Sequence, residues 1–168
     1  CIRDSSITGE VNAGKSSLLN LIAKRDVAIV SDEVGTTRDV IETYLNIDGY
    51  PVILADTAGI RAAKNEVEKK GISLALGKSK EADLNIVVID NSSKNINNEI
   101  KKIINKDTIV LLNKSDMLNK QNHKFDADTV LASVKENKNI DSLIKKIKEK
   151  LSKKFTSNNL SLIHISEP

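Results

Sequence analysis

The stretch Gly9-Glu10-Val11-Asn12-Ala13-Gly14-Lys15-Ser16 constrains this chain more than any other, because it matches the pattern Gly-x-x-x-x-Gly-Lys-Ser/Thr residue for residue. A glycine at each end lets the backbone curl so that successive N–H groups converge on an anion, and Lys15 adds a point charge for β- and γ-phosphate oxygens. Ser16 offers its hydroxyl to a magnesium ion. Leu18, Leu19, Leu21 and Ile22 follow at helical spacing, so the loop opens a helix whose N-terminal dipole favours bound anion. The plain alternative is a Gly/Ser turn before a helix. What separates the two is whether partner motifs follow in the right order.

Composition narrows the field. At 168 residues and 39% hydrophobic content, the chain can bury one ordinary core, and a single domain is expected. Against 23 acidic residues it carries 26 basic ones, a net charge of +3, and the lysines of the last third interleave with Ile and Leu at helical spacing. That pattern reads as solvated helix faces rather than a nucleic-acid groove. An aromatic content of 2% also speaks against a base-stacking platform. Cys1 is the single cysteine, so neither a disulfide nor a cysteine zinc site can form, which fits a reducing, cytoplasmic location. His123 and His164 are isolated and read as solvated surface residues. The apolar runs Ile86–Ile89 and Ile109–Leu112 fall far short of the ~18–20 residues of a membrane helix, so no membrane association is expected. They have the length of strands buried on both faces of a parallel sheet.

Taken in order, residues 1–8 make a poor first strand, with only Ile2 and Ile7 as apolar strand formers, and read as degraded or truncated. Residues 25–39 have no sustained period and read as a loop. Ile41, Thr43, Leu45 and Ile47 alternate with more polar residues, and Asp48-Gly49 turns the chain into Pro51–Ala55, giving one antiparallel pair at a sheet edge. Charged amphipathic spacing predicts a helix over 66–80, then a strand over 84–90, a helix over 92–105, a strand over 108–112 and a sixth strand over 129–132. Ile140, Leu143, Ile144, Ile147 and Leu151 mark a final helix. Residues 156–168 show no period and read as a disordered or foreign tail, leaving 9–155 as the folded domain. This alternation predicts a three-layer α/β domain with a mostly parallel six-stranded sheet and one antiparallel edge strand. Ligands of such sheets bind beyond the carboxyl ends of the strands.

The motifs fall at those ends. Gly35-Thr36-Thr37 lies in a loop, Asp56-Thr57-Ala58-Gly59 closes one strand and Asn113-Lys114-Ser115-Asp116 closes another. Each has a bland reading as a mere loop or strand-ending turn; together, in this order behind the phosphate loop, they are the signature of guanine-nucleotide-binding proteins. Thr37 can complete magnesium coordination and sense the γ-phosphate, Asp56 can hold the metal through water, and Gly59 can bring its N–H to the γ-phosphate. Asn113 and Asp116 select the base, since a carboxylate accepts from both guanine N1–H and the exocyclic amine but repels the adenine lone pair. Ser133-Val134-Lys135 stands where Ser-Ala-Lys is usual, and its requirement is a backbone N–H toward guanine O6.

Over residues 9–155 the chain resembles the G domain of the MnmE (TrmE) family of tRNA modification GTPases. The resemblance rests on Asn12–Asn20, on Ala28–Asp32 leading to Gly35–Asp39, and on Asp56–Arg61 with Glu66-Val67-Glu68 and Gly71-Ile72. Der-like ribosome-assembly GTPases share part of this set but carry a longer segment before Glu66. Glu10-Val11 departs from the residue-plus-proline that the family places before Asn12. The resemblance implies a Ras-like P-loop GTPase fold and GTP or GDP contacts from Asn12, Ala13, Gly14, Lys15, Ser16 and Ser17. It adds contacts from Ser31, Asp32, Glu33, Val34, Gly35, Thr36 and Thr37, from Asp56, Thr57, Ala58 and Gly59, and from Asn113, Lys114, Asp116, Ser133 and Val134. It implies magnesium at Ser16, Thr37 and, through water, Asp56. In place of an arginine finger it implies a potassium ion held by Asn12, Ser31, Glu33 and Thr36. Catalysis would fall to Lys15, Thr37 and Glu68, the last orienting the attacking water, with two G domains meeting face to face as a homodimer. In full-length relatives an MnmG-type partner and tRNA, modified at its wobble uridine, complete the assembly. A guanine-nucleotide module with negligible hydrolysis is the alternative.

Overall fold

The computed structural model describes residues 3–10, 12–24, 28–31, 41–47, 50–56, 77, 80–118 and 123–165. Seven strands make one sheet: β1 (Arg3–Gly9), β2 (Ala28–Ser31), β3 (Ile41–Ile47), β4 (Tyr50–Asp56), β5 (Leu84–Asp90), β6 (Thr108–Asn113) and β7 (Asp128–Leu131). Their order is β2-β3-β4-β1-β5-β6-β7. The described helices are α1 (Lys15–Lys24), α2 (Asn98–Ile103) and α3 (Ile140–Ile165).

The predicted α/β class holds, with one strand more than the six expected. Residues 28–31, read as loop, form β2 and pair antiparallel with β3 through Ala28↔Asn46 and Ser31↔Tyr44, so β3 is no longer the sheet edge. Only four residues long, with a register shift between Ile29 and Ser31, β2 is too short to show a period-2 pattern. The β3–β4 hairpin closes where Asp48-Gly49 predicted, with Ile47 paired to Tyr50. Of the predicted 66–80 helix, only Gly77 and Lys80 lie within the described residues, and both are helical.

The poor first strand nevertheless takes the centre of the sheet. β1 pairs parallel with β4 (Ile7↔Asp56) and with β5 (Gly9↔Val88). Two flanking ladders satisfy its backbone, which a chain buried this deeply requires. Its side chains fit less well. Ser5, Ser6 and Thr8 are buried; Ser6 Oγ donates to Asn85 Oδ1 at 2.6 Å, while Ser5 Oγ and Thr8 Oγ1 find no partner among the described residues.

β5 and β6 behave as their apolar runs predicted. Alternate residues face opposite layers: Ile86, Val88, Ile109 and Leu111 pack with Leu18 and Ile22 of α1 and with Leu143, Ile147 and Leu151 of α3. Val87, Ile89, Val110 and Leu112 pack with Ile100 and Ile103 of α2. α2 is shorter than the predicted 92–105 helix because Ser92 folds back onto Asp90 and Asn97 caps the helix, its side chain accepting from the Glu99 N–H at 2.8 Å. α3 runs on to Ile165, so residues 156–165 are helical where an irregular tail was expected. His123, read as a solvated residue, is half-buried: its ring lies over Phe125 at 6.2 Å and Nε2 meets the Ser93 carbonyl at 3.0 Å.

Candidate nucleotide-binding site

Strand register brings the motifs to one edge of the sheet. β1 ends at Gly9 and delivers the phosphate loop, β4 ends at Asp56, β5 at Asp90 and β6 at Asn113. Asp90 pairs with Asn113 in register, and Ile7 with Asp56. All are carboxyl ends, the edge where a doubly wound sheet receives its ligand.

Both loop glycines are required by space. A Cβ on Gly9 would sit 2.2 Å from the Val88 carbonyl oxygen, and one on Gly14 would sit 2.3 Å from Asn113 Nδ2, at a φ of +102° that side chains resist. Asn12 also has a left-handed φ, 62°, and is exposed at the lip of the loop. The Leu18 N–H donates to the Gly14 carbonyl at 2.9 Å, which starts α1 directly behind the loop. No acid occupies the first turn of α1, leaving its N-terminal field to an anion, and Ser16 and Ser17 are exposed there. Lys15 is buried, with its ammonium donating to the Gly9 carbonyl at 2.5 Å and the Glu10 carbonyl at 3.2 Å.

Asn113 joins this loop to the base-reading side. Its Nδ2 donates to the Ala13 carbonyl at 2.8 Å, and its Oδ1 accepts the Val134 N–H at 3.0 Å. At 4% exposure, Asn113 organises three segments from inside the protein, which its sequence reading as a base selector did not foresee. In the Ser133-Val134-Lys135 segment, where a backbone N–H toward guanine O6 was expected, the Val134 N–H is directed at Asn113. Asp116 Oδ1 accepts the Ser133 hydroxyl at 2.6 Å. That bond, foremost, and the charges of Lys135 and Lys114 hold its carboxyl below the ordinary value. An ionised carboxylate so oriented can accept from the two adjacent donors of a guanine edge.

Asp90 and Ser92 belong to the same site, and the sequence reading missed them. Asp90 Oδ2 meets Lys114 Nζ at 2.6 Å, while its Oδ1 accepts both the Ser92 N–H (2.9 Å) and the Ser92 hydroxyl (2.5 Å). Partial burial opposes the charged carboxylate, but the Lys114 and Ser92 bonds outweigh it and leave Asp90 below its ordinary value. Lys114 sits at a left-handed φ of 62°, so this ion pair holds a strained residue between Asn113 and Asp116. A carboxylate at the carboxyl end of a parallel strand was the available signal.

Ser31 and Asp56 close β2 and β4, and only their backbones are described. Asp32, Glu33, Val34, Gly35, Thr36, Thr37, Thr57, Ala58, Gly59 and Glu68 lie outside the described residues. Among the described residues, no group of three His, Cys, Asp or Glu could hold a metal, and no helix is long and apolar enough to cross a membrane.

A glycine-bounded loop opening a helix, and an Asn-Lys-x-Asp turn laced to that loop, define a GTP-hydrolysing phosphate-loop protein. Residues 4–114 match the family described as 50S ribosome-binding GTPase, and the chain belongs to that family. A tRNA modification GTPase MnmE from Pelagibacter ubique is 60% identical over 115 residues, covering 68% of this chain and 26% of its own length. One from Rickettsia bellii is 44% identical over 151 residues, covering 86% and 34%, and one from Ehrlichia chaffeensis is 41% identical over 165 residues, covering 96% and 38%. The chain thus spans less than two fifths of the length of each of these relatives, and its similarity to MnmE GTPases accords with the motif-level resemblance. Among solved structures, Aquifex aeolicus Era Y63A bound to GDP and AlF4− superposes with a TM-score of 0.62 at 28% identity, covering 87% of this chain and 56% of the other. The G domain of the T. maritima FeoB iron transporter gives 0.63 at 23% identity, covering 90% and 99%, a likeness of fold alone.

Proposed function

We propose that this chain is the G domain of a tRNA wobble-uridine-modifying GTPase that hydrolyses GTP in a magnesium- and potassium-dependent reaction. The observation that carries the reading is the Asn113 link between the phosphate loop and the base-reading turn, in a chain 60% identical to an MnmE GTPase over 115 residues.

The residues fit a magnesium ion shared with phosphate oxygens rather than caged by protein. Ser16 is exposed on the first turn of α1, and Asp56 is placed by register two residues short of the loop, opposite Ile7. Ser16, Asp56 (through water) and Thr37 would hold that ion, and exposed Asn12 with Ser31, Glu33 and Thr36 would hold potassium. Both cations supply positive charge where negative charge develops on the transferred phosphoryl group.

The chain's own groups do the rest. Lys15 aligns the β- and γ-phosphates from its seat on the Gly9 and Glu10 carbonyls. The α1 dipole and loop amides bind the phosphate charge. Asp116, held ionised by Ser133, selects guanine, and Glu68 orients the attacking water. Face-to-face pairing of two G domains would bring the Thr37 loop into place, and action on tRNA with an MnmG-type partner belongs to the longer protein. GTP turnover measured in potassium and in sodium at equal ionic strength tests this: severalfold stimulation by potassium is expected, and equal rates would remove potassium and the paired-domain mechanism from the reading.

A further inference from the structure

Glu10 puts a carboxylate into a loop built for anions, and it is turned onto the protein. Its Oε1 accepts the backbone N–H of Asn97 at 2.6 Å, across a sequence separation of 87 residues. Its own carbonyl accepts the Ala13 N–H at 3.2 Å and the Lys15 ammonium at 3.2 Å. One residue therefore touches three parts of the structure: the far side of the phosphate loop, the lysine that reaches phosphate, and the shoulder of α2. Asn97 is itself fixed, as the residue whose side chain caps Glu99. Directly before Glu10, Gly9 pairs with Val88 in register and leaves no room for a side chain, so the ladder to β5 holds the start of the loop on one side. The carboxylate supplies a restraint on the other side, and a charge-assisted bond of this length is stronger than a neutral one.

We infer that Glu10 is a positioning residue of the phosphate loop: its bond to the Asn97 amide sets the carbonyls of Gly9 and Glu10 on which Lys15 rests, and so sets the affinity for a nucleoside diphosphate. The inference rests on the nucleotide reading of the site. It makes Asn97 part of the structure that supports the phosphates, though it belongs to no phosphate-binding motif. Only an acceptor of glutamate length is needed, so glutamine serves and alanine does not. Asn97 has φ −54°, a value proline adopts, so N97P deletes the donor N–H, together with the side-chain cap, at a compatible φ. N97A keeps that N–H and removes only the cap.

The test is titration of the full 168-residue chain and its variants with a fluorescent GDP derivative, together with GTP turnover at saturation. E10A is expected to bind about tenfold more weakly and to turn over more slowly, since Lys15 loses its seat, and E10Q to stay within about threefold of the parent in both. N97P should match E10A, the double variant E10A/N97P should be no weaker than either, and N97A should bind as the parent does. Parent-like binding by E10A, or equal weakening of E10A, E10Q and N97A, overturns the positioning role while leaving the nucleotide site standing. A parent chain that binds no GDP overturns the nucleotide reading and the role of Glu10 with it. If E10A does not fold, N97P against N97A decides alone, and equal affinities overturn the role.

Discussion

β1 and β6 lie two places apart in one sheet, both buried, and are built from opposite materials. β6 reads Thr-Ile-Val-Leu-Leu-Asn and is buried along its whole length, with Thr108 bonded to the Ile103 carbonyl and Asn113 engaged at both ends of its amide. β1 reads Arg-Asp-Ser-Ser-Ile-Thr-Gly and buries three hydroxyls, two of them without a partner among the described residues. Each strand ends in a loop that the site needs. β6 therefore brings the base-reading turn with packing energy of its own, whereas β1 brings the phosphate loop on ladders supplied by β4 and β5.

The contrast can be tested by exchanging the materials. Leu111→Ala in β6 is expected to lower unfolding stability by about 2–5 kcal/mol, read by denaturant titration, because its contacts join the strand to α1 and α3. Asn113→Ala should cost about 2–4 kcal/mol, since it strands the Ala13 carbonyl and Val134 N–H, and GDP affinity should fall with it. Asp116→Asn should leave the fold intact and shift preference from guanine toward xanthine nucleotides by roughly a hundredfold, measured as paired dissociation constants; unchanged preference would break the base assignment. In β1 the sign reverses: Thr8→Val, nearly isosteric, should raise stability by about 1 kcal/mol by removing an unpaired buried hydroxyl.

The smallest effect is a pH dependence on the β5–β6 side. The folded pKa of Asp90 lies below its ordinary 3.8, so the stability its ion pair contributes is fully present above that value and is lost as pH falls through the lower, folded one. The difference in unfolding free energy between the parent and Asp90→Asn should accordingly shrink below about pH 4. A constant difference would mean that the charge on Asp90, and with it the Lys114 pair, contributes nothing to stability.

Much of the site was legible because its motifs are local. Gly9, Gly14, Lys15 and Ser16 must be close in sequence to build a loop, and Asn113 and Asp116 must share one turn. The α/β class followed from the alternation of strand and helix patterns, with the short apolar runs Ile86–Ile89 and Ile109–Leu112 marking buried strands. β2 escaped notice since its hydrogen bonds to β3, not its own pattern, make it a strand. Asp90, Ser92 and Glu10 escaped for a related reason: each acts on a residue 24, 2 or 87 positions away, and two of those contacts exist only after β5, β6 and α2 have assembled.

By itself, then, the chain's covalent order determined which chemical groups could meet a phosphate and a guanine edge, and which segments were apolar enough to be buried. Tertiary structure decided that a strand rich in serine and threonine would occupy the centre of the sheet. It decided that Asn113 would lace the loops together from within, and that Asp90 and Glu10 would brace Lys114 and the phosphate loop. The physical reason is range: hydrophobic period and loop geometry are written within a few residues, whereas the partner of a carboxylate is whatever the packed strands bring to within 3 Å of it.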